Sequence, residues 1–149
     1  MNLSPRISQA MTRLISASEI GNRTVIGVPV MYASGTMASV DVQINKDKCF
    51  VSDVGQGFQE AQSYGAETFY RASARESASE FCVSFDGMYV FASWGSLDQL
   101  ESAIVSVSNA SCAAANTAIL RAVAERDKKR SEQVFERVRH VFGRDNVHK

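Results

Sequence analysis

Between Ala38 and Tyr64 the chain is written for a sheet edge-on to a core. Val40, Val42 and Ile44 alternate with Asp41 and Gln43, a period of two that turns one side of a strand inward and the other toward water. Asn45-Lys46-Asp47-Lys48 supplies a polar turn, Cys49-Phe50-Val51 a returning strand, and Ser52-Asp53-Val54-Gly55 leads into a short helix. A chain containing this unit needs a layer of helices to cover the apolar side.

The neighbouring segments extend the pattern. Thr24 to Tyr32 is β-branched and aromatic-rich, with Pro29 marking an edge position or a bulge because it has no N–H for a ladder. Ser34-Gly35 then turns the chain, so the first three strands form a meander. Phe81-Cys82-Val83-Ser84-Phe85 and Met88-Tyr89-Val90-Phe91-Ala92 flank Asp86-Gly87, the dipeptide of a two-residue type I′ hairpin. That turn predicts Phe85 opposite Met88, Val83 opposite Val90 and Phe81 opposite Ala92, all on the core face, with Tyr89 and Phe91 on the other under a cover helix.

Helices flank the strands. Ser4 can cap a helix beginning at Pro5, with Ile7, Met11, Leu14 and Ile15 on the face that packs on the sheet and Gly21 as its stop. Phe58 to Tyr64 and Ala66 to Ser79 read as two short helices separated by Gly65. Ser96 and Gln99 form a capping box for a helix striped with Leu97, Leu100, Ile104 and Val107. Ser106, Ser108, Asn109 and Ser111 weaken helix propensity, so a break is expected between Asn109 and Asn116, with a second helix from about Thr117 to Phe142. The fold class is α+β: an antiparallel sheet of about five strands, helices on one face, and a helical C-terminal arm.

With 149 residues, 45% of them hydrophobic, the chain can close one core. Its 16 basic and 16 acidic residues cancel but are segregated. Residues 1–118, the body, hold 7 Lys/Arg against 11 Asp/Glu, while residues 119–149, the arm, hold 9 against 5. Cys49, Cys82 and Cys112 have neither zinc spacing nor an even count and read as reduced core residues. No signal-like run opens the chain and no window reads as a membrane span, so the expected location is the cytoplasm, without membrane contact.

Strand, Ser-Asp-Val-Gly at 52–55, a short helix ending Tyr64-Gly65, a strand near Met88 to Phe91 and a long Ala-rich helix together resemble a numbered, uncharacterised family of small bacterial, phage and mobile-element proteins. The resemblance covers roughly residues 22–118. It implies an α+β fold and a mobile-element setting, and brings no assigned activity or catalytic residue.

The residues themselves offer little for catalysis. A Ser or Cys nucleophile needs a base within reach, yet the two histidines, His140 and His148, both lie in the arm. They make a poor metal pair, and no cofactor is expected. Asp41, Asp47, Asp53, Glu60 and Asp86 could serve a metal-dependent nuclease, but Asp53 and Asp86 fit turns better. Gly55-Gln56-Gly57 could cradle a phosphate, although position 60 is Glu60 where a dinucleotide fingerprint has glycine.

Two surfaces remain. Trp94 in Ser93-Trp94-Gly95-Ser96 either plugs a corner of the core or anchors a partner. In the arm, Val134, Phe135, Val138, Val141 and Phe142 form a stripe at spacings of three and four, covered by folding back, by a second copy in a homodimer, or by a protein partner. The arm also carries Arg126, Lys128, Lys129, Arg130 and Arg137, a possible phosphate-binding set, interleaved with Glu125, Asp127, Glu132 and Glu136 as on an ordinary solvated helix. The expected function is a non-enzymatic interaction module that binds, and so can inhibit, a host or element protein complex through Trp94 and the apolar stripe; the alternative is nucleic-acid binding through the basic set.

Overall fold

The computed structural model describes residues 4–143. Six strands form one antiparallel sheet in the order β1-β2-β3-β4-β6-β5: β1 Ser16–Ile20, β2 Arg23–Met31, β3 Met37–Asn45, β4 Lys48–Ser52, β5 Ser84–Phe85 and β6 Phe91–Ser96. The helices are α1 Ser4–Leu14, α2 Gln56–Ser63, α3 Glu67–Glu80 and α4 Leu100–Phe142, the last entered through a 3₁₀ turn, Leu97–Gln99. The α+β class therefore holds, with one strand more than the sequence suggested.

The meander is as the alternation demands. Val42 stands opposite Val51 and Ile26 opposite Val40, and these side chains join Tyr70, Phe91, Val107 and the α4 alanines in the main core. A register shift between Gly27 and Met31 brackets Pro29. Helix α4 lies against this face of the sheet, with α3 and α2 alongside it. The capping box of Ser96 and Gln99 is present.

Several expectations are corrected. The N-terminal helix ends at Leu14, not Gly21, and Ser16–Ile20 is an extra strand; Ser16, Ser18 and Glu19 make it too polar to announce itself. That helix does not pack on the sheet, since none of its residues is buried.

The hairpin register is different as well. Phe85 faces Phe91 and Ser84 faces Ala92, so the connection is a longer loop in which Asp86 Oδ1 accepts from the N–H groups of Met88, Tyr89 and Val90 at 2.8, 2.8 and 3.0 Å. Phe91 is thereby fully buried, while Met88 is exposed. Tyr89 packs on Phe58 of α2, ring centroids 4.4 Å apart, and is only partly covered by that helix.

No break interrupts α4. Its 43 residues run about 64 Å at 1.5 Å per residue. Two of the polar residues that should weaken it are engaged, and so is Asn116 at the end of the expected break: Ser108 Oγ donates to the Ile104 carbonyl, Ser111 is buried in a hydrogen-bond network, and Asn116 Oδ1 accepts from Ala33 N–H. Ala110, Ala114, Ala115 and Ala118 are buried, and their small side chains let the helix approach the sheet closely. By length and composition this helix could cross a bilayer, against the sequence expectation, but more than half of its apolar window is buried within the protein.

Finally, Cys49 and Cys112 are core residues as expected, whereas Cys82 is exposed, in a left-handed conformation with φ of 54°.

Candidate interaction surface

The most concentrated chemistry in the body surrounds Asp53, which has no exposed surface. Its Oδ1 accepts from Phe91 N–H at 2.9 Å and Gly55 N–H at 3.1 Å, and its Oδ2 accepts from Ser111 Oγ at 2.6 Å and Gly57 N–H at 3.4 Å. Tyr32 hydroxyl continues the chain of bonds, 2.8 Å from Ser111 Oγ. Burial drives the Asp53 carboxyl above its ordinary value, against the pull of Ser111 and the three backbone donors.

This arrangement is a structural clasp. One carboxylate ties the end of β4, the start of α2, the start of β6 and the middle of α4 together. The N–H groups of Gly55 and Gly57, the phosphate cradle the sequence offered, are spent on the chain's own anion. Gly57 is required there, because a Cβ would sit 2.5 Å from Ser111 Oγ and 2.9 Å from the Ser111 carbonyl oxygen. Substituting Gly57 by Ala should cost about 1–3 kcal/mol by forcing α2 from α4, measured as a lower urea midpoint.

Asp41 does not pair with Asp53. It aligns with Ser52 across β3 and β4 and so lies on the opposite face, where Arg23 Nη1 is 2.7 Å from its carboxylate. Among the described residues, no three His, Cys, Asp or Glu side chains are placed together to hold a metal ion. His140 is an exposed arm residue, and His148 lies outside the described residues.

The sequence-predicted partner residues fall on two separate surfaces. Trp94 is 66% exposed on the outer sheet face, its ring 5.0 Å from that of Phe50, so it does not plug the core. The stripe is on the projecting end of α4. The helix is held to the body as far as Arg121, which reaches Ser73 Oγ and Glu76, Ala122, which is buried, and Arg126, which donates to the carbonyls of Tyr64 and Gly65. From Asp127 to Phe142 no residue is buried, and the helix continues unbroken instead of folding back.

On that projecting helix, Leu120, Val134, Val138 and Val141 are exposed. Leu120, Ala124, Asp127, Ser131, Val134, Val138 and Val141 follow one another at alternating steps of four and three, the seam of a helix pair. Phe142 is exposed at its border, and Arg139 lies over the Phe135 ring at 5.6 Å.

Apart from Asp127, which lies within the seam, the charges around it are sorted. At about 100° per residue, Arg126, Arg130 and Arg137 fall within roughly 40° of one another on one flank, and Lys128 stands on the other. Glu125, Glu132 and Glu136 occupy the back, where Glu125 pairs with Lys129 at 3.3 Å and Glu136 with Arg139 at 3.2 Å. The arrangement was readable from spacing once the helix was known to be unbroken; Tyr32 and Ser111, 79 residues apart in the chain, carried no local signal of their shared network.

Comparison of the chain with protein-family models, with curated proteins and with solved structures finds no match.

Proposed function

We propose that this protein is a non-enzymatic interaction module that binds a protein complex of its host, or of the mobile element the sequence resemblance points to, and acts by occupying it. The observation that carries this reading is the seam on the projecting end of α4, where Val134, Val138 and Val141 are exposed and no described residue of the body covers them. Arg126, Arg130 and Arg137 line one flank of that seam and Lys128 the other, Glu125, Glu132 and Glu136 lie at its back, and Asp127 is the one acid within it. The partner it fits is therefore an amphipathic helix whose apolar face is bordered by Asp or Glu.

The test is affinity purification of the full chain from its own host beside a Val134→Asp/Val138→Asp variant. A partner bearing such a helix should be retained by the first and lost by the second. An identical set of retained proteins in both overturns the reading, as does turnover of a phosphodiester or ester substrate that disappears in Asp53→Asn.

A second reading rests on the alignment of Arg126, Arg130 and Arg137, which could follow a nucleic-acid backbone along one flank of the helix, with Lys128 and Lys129 elsewhere on its circumference adding to the positive field. Replacing Lys128, Lys129 and Arg130 by Ala should then flatten the slope of log affinity against log salt by about 2–3. An unchanged slope and affinity excludes the arm as a nucleic-acid site.

A further inference from the structure

The sheet has two edges, and they are treated differently. Natural sheets blunt their edges by shortness, by Lys or Pro, or by bulges, because an open row of N–H and C=O groups recruits another strand. At one end β5 is only two residues long. At the other, β1 offers five residues, Ser16-Ala17-Ser18-Glu19-Ile20, every one exposed. It contains neither Lys nor Pro, and its register with β2 is unbroken from Ser16 to Ile20.

Beside that edge lies a second unsatisfied surface. A single residue, Ile15, separates α1 from β1, and α1 buries nothing, although Ile7, Met11 and Leu14 line one of its faces and Ile15 and Ile20 are exposed beyond it. An amphipathic helix gains little from forming in water alone, since most helical stability comes from packing its apolar face.

We propose that β1 pairs with β1 of a second copy of this chain, antiparallel about a two-fold axis at Ser18, joining two six-stranded sheets into one. An antiparallel edge is self-complementary under such an axis. Centring on Ser18 uses all five residues: Ser18 faces Ser18, Ala17 faces Glu19, and Ser16 faces Ile20 of the other copy. Ile20 is then carried to the start of the other strand, beside the exposed Leu14 that ends its α1 and the exposed Ile15 that follows.

Charge matches across the same seam. Glu19 is the single charge on β1, and α1 has no acid in its first turn and Arg13 in its last. Opposite Ala17 of the second copy, Glu19 stands four residues from that copy's Arg13, within reach of a guanidinium. This contact is separate from the α4 seam, so it holds or fails independently of the partner proposed above.

The experiment is light scattering on the full chain over a dilution series. Twice the chain mass is expected, and the Val134→Asp/Val138→Asp variant should keep it. Glu19→Lys and Arg13→Glu should each weaken association by about tenfold with an unchanged circular dichroism spectrum, and the Glu19→Lys/Arg13→Glu double variant should restore it. Ser18→Cys, in a Cys82→Ser background, should form a disulfide-linked dimer on mild oxidation. A monomer at every concentration overturns the proposal, as does a dimer indifferent to both charge reversals, one abolished by the α4 variant alone, or a Ser18→Cys chain that fails to cross-link.

Discussion

Asp53→Ala should be the most damaging single substitution in the body, lowering folding free energy by about 3–5 kcal/mol. It removes the acceptor for Phe91 N–H, Gly55 N–H and Ser111 Oγ at once and leaves those donors in a space that has no exposed surface at Asp53. Set against about 5–15 kcal/mol for a typical domain, that loss brings the chain close to unfolding at room temperature. Asp53→Asn keeps one carbonyl oxygen for the two shortest backbone donors and should cost about half as much. Urea denaturation of the two variants checks the order; equal and small losses would mean that the clasp contributes little.

The same residue gives a pH signature of definite sign. Burial raises the folded-state pKa of Asp53 above the ordinary 3.8, so the folded protein holds this proton at pH values where the unfolded chain has released it. Stability contributed by Asp53 is therefore greatest in acid and declines as pH rises from the ordinary carboxylate value through the raised folded one. Asp86 has the opposite sign: although slight burial raises it, the Val90, Met88 and Tyr89 N–H groups outweigh that and lower its pKa, so its contribution is lost as pH falls through the depressed folded value. Replacing Asp53 by Asn should leave a profile that no longer declines as pH rises above the ordinary carboxylate value of 3.8.

Where local pattern and tertiary demand agree, the sequence is a good guide. Val40, Val42 and Val51 are core residues because alternation, a polar turn and burial all favour one register. The Ser96 and Gln99 cap forms where its two residues require. Where they conflict, the long-range contact prevails. Ser106, Ser108, Asn109 and Ser111 argued for a break in α4, yet Ser111 is needed opposite Asp53 and Asn116 opposite Ala33, and the buried alanines between them fit only a continuous helix. The apolar seam from Val134 to Val141 was visible in the spacing, whereas its extension back to Leu120 depended on that continuity. The exposed edge at β1 had no periodic apolar signal at all, because an edge strand that buries neither face has nothing to encode.

The hairpin shows the conflict most sharply, and a pair of substitutions can measure it. Asp86-Gly87 favours a tight turn with Met88 in the core, but Asp53 captures Phe91 N–H at 2.9 Å and fixes Phe91 opposite Phe85, ring centroids 5.1 Å apart. With Phe91 wholly buried and Met88 42% exposed, Phe91→Ala should cost about 3–5 kcal/mol through lost burial and the cavity left behind. Met88→Ala should stay within about 0.5 kcal/mol. The tight-turn register places Met88 in the core opposite Phe85 and so demands a large loss for Met88→Ala as well. Thermal or urea unfolding of the two variants therefore decides between a register set by the turn dipeptide and one set by a buried carboxylate 38 residues away.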